Sequence, residues 1–330
     1  TIEVNLLLNK KHLCFVLALI IGLGCFLFPD TEANLSASAA DEVVEVSVDD
    51  LEYEIFEENN RKYIAIYYYY GTDKKISIPE EIDGLPVCYL EFSSFGDSKT
   101  LEYVELPSTA EYISPGVFDS SLKLKEIAIS SSNKYYTCHD GVLYNKDMTT
   151  LISFPAGRSG AFTVPKSVVN IGDMAFYYAY GLTSVKMYNN VLSIGPNAFE
   201  KCWNMSYLKL SDNLKIIGYR AFAGCSSLRS IHLPYTVKTI GKQAFLGGID
   251  SDDNMYYYYT SGIYYVKGSY AETYLKTLHL PSNYLKAETR YITDIDSNVT
   301  LYDSAGVFPA NKNLDLSVSV KPNSSYTSLL

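Results

Sequence analysis

Ile-Gly-x-x-Ala-Phe occurs four times in this chain, at a fixed spacing of 23 residues. The copies are Ile171–Phe176, Ile194–Phe199, Ile217–Phe222 and Ile240–Phe245. A short fixed period means one supersecondary unit stacked on copies of itself, since a unit of this size cannot bury its apolar stripe alone. Apolar residues hold the same places throughout. One unit carries Leu228, Ile231, Leu233, Val237, Ile240, Ala244 and Phe245. The unit before it carries Met205, Leu208, Leu210, Leu214, Ile217, Ala221 and Phe222, and the one before that Leu182, Val185, Met187, Val191, Ile194, Ala198 and Phe199.

Within each unit L-x-x-V-x-L places apolar residues two apart, the period of a short strand with one buried face. Val237 and Ile240 then point inward from irregular backbone. Gly241 is expected to permit a backbone geometry that a side chain would oppose. Ala244 and Phe245 put a small and a large residue where a turn of helix is expected to seal the coil. Neighbouring coils, about 4.8 Å apart, bury the stripe continuously. Degenerate copies carry the array toward the N-terminus: Leu101–Pro107 with Ile113 and Val117-Phe118, then Leu124–Ile129 after another 23 residues. Ile76–Pro79 and Phe162–Pro165 are further strand positions. Between residues 130 and 165 the spacing is 35, one period plus 12. The excess lies in Tyr135–Gly160, where Asp140–Tyr144, Asn145–Asp147 and Thr149–Phe154 read as strand, turn, strand.

The I-G-x-x-A-F hexads with a following Cys, together with L-x-x-I-x-L-P, resemble the BspA-like class of bacterial leucine-rich repeats over roughly residues 51 to 280. The resemblance implies an α/β-type repeat solenoid, mostly β, with short parallel strands and a hairpin-like insertion in the irregular stretch. It also implies a secreted or surface-displayed binding protein, since such families look like extracellular proteins and a few carry adhesive activity. It is specific for fold and poorly specific for function.

Lys10-Lys11-His12, the apolar run Leu13–Phe28 and Ala37-Ser38-Ala39 read together as a secretory signal peptide over residues 1–40. A transmembrane anchor is the competing reading, but the run of 16 residues falls short of the ~20 a spanning helix needs. A lipidated Cys25 is a third, opposed by Gly22 and by the apolar residues that continue past Cys25. The chain begins at Thr1 and not at Met, which points to a fragment or a mis-assigned start. The net charge is −10, with no run of Lys and Arg, so sequence-independent binding of nucleic acid is not expected.

Of the six cysteines, Cys14 and Cys25 lie in the signal region. Cys202 and Cys225 occupy the same place in successive coils, where Ala179 and Gly248 stand before and after. Secretion permits a disulfide, yet packing of a small residue in a tight turn already explains the equivalence, so free buried thiols are the favoured reading. Cys88 and Cys138 have no obvious partner, and without C-x-x-C a zinc site has no support.

At the N-terminal end, residues 41–50 are acidic, and Leu51–Tyr70 alternates as a hairpin with its turn at Glu58–Arg61. A solenoid needs an end unit over its first open coil, and this hairpin suits that place. At the other end Ile263–Ser269 reads as a last strand and a Ser cap, followed by a short helix over Tyr270–Lys276. Val299–Tyr302 and Leu314–Val320 resemble the opening of an immunoglobulin-like β-domain that continues past residue 330. The expected layout is signal peptide 1–40, acidic segment and hairpin cap 41–70, solenoid 71–280 with its insertion near 135–160, and linker or partial β-domain 281–330.

Two variable places in L-x-x-V-x-L point away from the core. One column is Glu105, Ala128, Lys186, Lys209 and His232; its neighbour is Tyr103, Glu126, Ser184, Tyr207 and Ser230. Stacked residues in adjacent strands come within about 5 Å, so Lys186 beside Lys209 is a like-charge contact that folding does not require. Lys186, Tyr207, Lys209, Ser230 and His232 are therefore the candidate binding residues, for a carboxylate, sulfate or acidic sugar. The competing reading is a solvated sheet face. Tyrosine supplies 31 of 330 residues, with dense runs at Tyr67–Tyr70 and Tyr256–Tyr259. Exposed Tyr gives rigid contact area, although Tyr also suits strands and edges.

Catalysis has little support. His139, His232 and His279 form no metal-spaced pair, and no G-x-S-x-G, P-loop or H-E-x-x-H occurs. Asp140 and Asp147 are too few and wrongly spaced for a calcium loop. The expected function is a non-catalytic, adhesin-like binding protein of the cell exterior. It takes an extracellular protein or glycan as partner and uses no cofactor. The alternative is a structural or targeting spacer of a larger surface enzyme or surface protein.

Overall fold

The computed structural model describes residues 42–249, 255–256, 262–278, 285–288, 299–303, 306–307 and 320–322. The signal-peptide reading, His279, Tyr257–Tyr259 and Leu314–Ser319 lie outside these residues. The described chain starts with β1 (Val44–Glu45) and a 3-10 turn over Val48–Asp50. A hairpin follows, β2 (Leu51–Glu58) and β3 (Arg61–Tyr69), then β4 (Lys75–Ser77), β5 (Glu81–Ile82) and β6 (Leu85–Leu90). The coils then alternate a longer strand with a short one: β7 (Tyr103–Leu106), β8 (Tyr112–Ile113) and β9 (Glu126–Ile129). Three strands interrupt, β10 (Tyr136–His139), β11 (Val142–Asn145) and β12 (Thr150–Ser153). Alternation resumes with β13 (Gly160–Thr163), β14 (Asn170–Ile171), β15 (Leu182–Lys186) and β16 (Ser193–Ile194). It runs on through β17 (Tyr207–Lys209), β18 (Ile216–Ile217), β19 (Ser230–Leu233) and β20 (Thr239–Ile240). Beyond lie β21 (Gly248–Ile249), β22 (Met255–Tyr256), β23 (Gly262–Val266), α1 (Tyr270–Lys276) and β24 (Leu285–Glu288). An antiparallel set closes the description: β25 (Val299–Asp303), β26 (Gly306–Val307) and β27 (Val320–Pro322).

Three hydrogen-bonded tracks run from coil to coil. The L-x-x-V-x-L strands pair in parallel as β1-β4-β7-β9, β13-β15-β17 and β19-β23-β24. The Ile-Gly strands pair in parallel as β12-β14-β16-β18-β20, with Ile171, Ile194, Ile217 and Ile240 in register. The third track is the Ala-Phe turn. Phe176 N–H donates to the Ala198 carbonyl at 2.7 Å, Phe199 to Ala221 at 2.8 Å and Phe222 to Ala244 at 2.8 Å. The turn of helix expected there is absent. Met174, Asn197, Arg220 and Gln243, just before each Ala, have φ of 56°, 54°, 51° and 57°, and Tyr178 and Lys201 are left-handed as well. Left-handed residues aim successive N–H groups at the next coil instead of back into a helical turn. Among the described residues the only α-helix is α1, capped by Ser269 Oγ on the Glu272 N–H.

The glycine of each hexad has a different role from the one expected. Its φ is not positive. A Cβ on Gly241 would come within 2.5 Å of the Gly218 carbonyl carbon, and one on Gly218 would run into the backbone of Gly195 and Pro196. Glycine is required there by how closely neighbouring coils approach. Inside, the phenylalanines form a stack. Phe176 and Phe199 lie 4.6 Å apart at 10°, Phe199 and Phe222 5.4 Å at 13°, and Phe222 and Phe245 6.0 Å at 2°.

The hairpin turns at Asn59-Asn60, both left-handed with φ of 52° and 62°, the pair a type I′ turn needs. Through β3 it joins β6 in parallel and so continues the array. The insertion does more than decorate the surface. β10, β11 and β12 form an antiparallel meander, one strand more than the expected pair. Leu143 packs into the core that runs from Val46 to Ile127, while Val142 and Tyr144 pack into the core that runs on to Leu275. β11 is thus a strand with both faces buried, standing between two cores. Buried Asn133 ties the meander to the preceding coil. Its amide donates to the Ser108 and Ala110 carbonyls at 3.0 and 2.8 Å, and its Oδ1 accepts from the N–H groups of Tyr135 and Tyr136.

Cys202 and Cys225 are free thiols, and each donates to a carbonyl of the preceding coil, Phe176 at 3.0 Å and Phe199 at 3.1 Å. Ser121, in the same place of an earlier coil, does the same to Phe95 at 2.7 Å. Burial pushes both thiols well above the ordinary cysteine range, so neither is a thiolate at neutral pH.

Candidate functional site

The strand face carries the residues expected to bind. Lys186 on β15 stands opposite Lys209 on β17, and Ser184 opposite Tyr207. All but Ser184 are exposed, Tyr207 at 58%. Two ammonium groups lie over the Tyr188 ring, Lys166 Nζ 5.2 Å and Lys186 Nζ 5.7 Å from its centre. Among the described residues no carboxylate pairs with Lys166, Lys186 or Lys209.

The column expected from sequence is interrupted twice, once by extra chain and once only in its hydrogen bonding. Glu105 and Ala128 are neighbours on β7 and β9, but β9 has no ladder to β13. After Lys209 the hydrogen-bond ladder lapses, since none among the described residues joins β17 to β19, although the two strands still lie side by side in successive coils. Ser230 and His232 therefore belong to another sheet, opposite Gly262 and Tyr264 of β23. His232 is already engaged there. Its ring stacks on Tyr264 at 4.2 Å and 7°, and its Nδ1 lies 3.0 Å from Glu288 Oε1. Lys186, Tyr207 and Lys209 come together on one ladder, and Ser230 and His232 stand on the neighbouring strand of the next coil.

At the first break the insertion opens a cleft of about 560 Å³ between Lys125, Glu126 and Asp140 on one side and Gly157, Arg158 and Ser159 on the other. The turn Asp140-Gly141 takes the place of a neighbouring strand, with Ile127 N–H donating to the Gly141 carbonyl at 3.0 Å. Arg158 donates to the Asp140 carbonyl and lies 3.2 Å from its Oδ2, with its guanidinium 5.5 Å from the Phe154 ring centre. Lys125 is held by Glu102 at 2.7 Å.

One coil further on, the turns present an aromatic ledge. Tyr180 and Trp203 fill the same place in successive coils and stack at 4.4 Å and 18°, with Trp203 46% exposed. Tyr178 meets Tyr180 edge-on at 5.3 Å and Tyr177 at 4.6 Å. The Lys201 ammonium sits 4.3 Å from the Tyr178 ring centre and hydrogen-bonds its hydroxyl. Burial pushes the Tyr180 phenol up to about 12 and raises the Asp119 carboxyl, which faces the same cluster. Beneath it, buried Glu200 is paired with Arg220 at 2.6 Å. Sequence reasoning missed both cleft and ledge. The aromatic pair at the 23-residue spacing was the signal available for the ledge. The cleft joins residues from three distant segments and leaves no such mark.

Among the described residues no group of His, Cys, Asp and Glu is placed to hold a metal ion, and no helix is long and apolar enough to cross a membrane. None of the curated proteins matches the chain. Among solved structures, the pneumococcal vaccine antigen PcpA aligns with 67% of this chain and 64% of its own at 17% identity and a TM-score of 0.48. A leucine rich cell surface protein from Faecalibacterium prausnitzii A2-165 aligns with 63% of this chain and 57% of its own at 23% identity and a TM-score of 0.46. The chain thus spans less than two thirds of the length of either. A leucine-rich repeat protein from Bacteroides capillosus ATCC 29799 is 29% identical over 33% of this chain and 90% of its own, with a TM-score of 0.30. The family model described as the BspA type leucine rich repeat region matches residues 62–160 and 158–251, in six copies. More than half of the sequence is covered, and the chain belongs to the BspA-type leucine-rich repeat family.

Proposed function

We propose that this chain is a secreted or cell-surface binding module that recognises an extracellular protein or glycan by side-chain contact on its stacked strands, without chemistry. In this reading residues 1–40 are a leader, 41–70 cap the array, 71–280 form the recognition solenoid, and 281–330 are a linker or partial β-domain. The supporting observation is the register pair Lys186–Lys209, beside Tyr207 and with Lys166 one coil away. Like charges opposed on a ladder destabilise the sheet, and among the described residues no carboxylate neutralises these two. An acidic group on a partner, a carboxylate or sulfate, would relieve that repulsion.

The intact chain should be assayed against a panel of acidic glycans and extracellular-matrix proteins at two salt concentrations. A ligand held by this face should bind more weakly at the higher salt, since exposed charges are screened over about 10 Å at 0.1 M. Lys209→Glu should weaken it by about tenfold without lowering the melting temperature, since it replaces a like-charge pair with Lys186 by an opposite-charge one. Salt-independent binding, or indifference to Lys209→Glu, would remove the strand face from consideration. Silence across the whole panel would favour a spacer in a larger surface protein.

A further inference from the structure

We infer that the aromatic ledge and the adjoining cleft form one binding site for a neutral oligosaccharide, separate from the basic strand face. This rests on the reading of the chain as a binding module and names a ligand class for a second surface. Folding does not require large rings at Tyr180 and Trp203. Four places after the internal Phe the flanking coils carry Arg158 and Ser226, neither of them a ring, and the internal phenylalanine stack already fills the core. Trp203 is exposed and Tyr177, Tyr178 and Tyr180 are half-buried beside it, and a cluster of rings reaching the surface is the informative kind of surface feature.

The ledge and the cleft are contiguous. Tyr180-Gly181 lies directly on Arg158-Ser159: Gly160 N–H donates to the Gly181 carbonyl at 2.9 Å, and a Cβ on Gly181 would come within 2.5 Å of the Arg158 carbonyl oxygen. Ring faces therefore adjoin a polar cavity whose volume falls in the range of small-ligand sites.

Charge selects the class of ligand. Arg158 is engaged by Asp140, Lys125 by Glu102, Arg220 by Glu200 and Lys201 by Tyr178. The surface offers hydrogen-bonding groups in number and a single cation, Lys201, that no carboxylate among the described residues pairs with, too little for a polyanion. A pyranoside chain fits these demands. Its C–H face stacks on the indole and phenol rings, and its hydroxyls exchange hydrogen bonds with Asp140, Arg158, Asn204 and the tyrosine hydroxyls. Stacked indole and phenol rings with a polar edge suit such amphipathic partners.

The chain contains one tryptophan, so its fluorescence reports on the ledge alone. The intact chain should be titrated with cellotetraose, chitotetraose, maltotetraose and mannotetraose at millimolar concentration, with polyproline peptide as the competing ligand class. At least one sugar should give a saturable change in Trp203 emission. By calorimetry, Trp203→Ala should weaken that sugar by about tenfold or more. Asp140→Asn should weaken it by a smaller factor, and Lys209→Glu should leave it unchanged. Each variant is to be checked by circular dichroism and melting, and Trp203→Phe, which keeps a ring, should retain part of the affinity. No response to any of the four sugars overturns the inference, as does a response to polyproline alone. Sugar binding lost in Lys209→Glu but intact in Trp203→Ala also overturns it, while leaving the strand-face reading standing.

Discussion

At the residue scale, each place in the coil has a physical requirement that different residues meet unequally well. The place before each internal Phe is Ala175, Ala198, Ala221 and Ala244 in the regular coils, and Val117 and Ser94 in earlier ones. The Ser94 hydroxyl is buried and has no hydrogen-bond partner. Ser94→Ala should therefore raise stability by about 1 kcal/mol, the cost of an unsatisfied buried hydroxyl, as read by urea denaturation. A loss of stability would mean that the hydroxyl has a partner after all. Three places after the Phe, Ser121, Cys202 and Cys225 all supply a donor to the coil before. This explains why the cysteines recur at one period without forming a disulfide. Their equivalence was legible in the sequence; their role as donors needed the positions of the Phe carbonyls.

At the scale of elements, the insertion is the feature that periodicity located without interpreting. A spacing one period plus 12 residues long marks where extra chain lies, and a strand-turn-strand pattern is readable within it. That β11 is buried on both faces is not readable, because Val142-Leu143-Tyr144 is equally compatible with a strand lying over a single core. In the fold Leu143 faces one core and its neighbours the other. Leu143→Ala should then cost about 2–5 kcal/mol, the usual range for a buried leucine, and hydrogen exchange should speed up in β9 as well as in the meander. A surface hairpin would give a loss under about 0.5 kcal/mol and no change in β9. The same element makes the cleft, since its Asp140-Gly141 turn occupies the edge of β9 and breaks the strand face.

For the whole molecule, stability is the sum of coil and coil-to-coil terms, and the phenylalanine stack runs through most of the interfaces in the regular half. Phe222 contacts Phe199 on one side and Phe245 on the other. Phe222→Ala should cost about 3–5 kcal/mol, and thermal unfolding should lose cooperativity as the array divides there. An unchanged melting curve would contradict stacked coils. By itself the sequence determined the repeat, the inward residues and the pairing of Lys186 with Lys209, because a fixed period carries each residue onto its counterpart one coil away. It also marked the hairpin and the helix after Ser269 through local turn and cap chemistry. Only the tertiary structure decided where the ladders stop, and that His232 stacks on Tyr264 and faces Glu288. Only it brought Asp140 to Arg158 and set Tyr180 beside the cleft. Those contacts depend on how far an irregular segment displaces one coil from the next, and that distance is fixed by packing between segments, which no local pattern encodes.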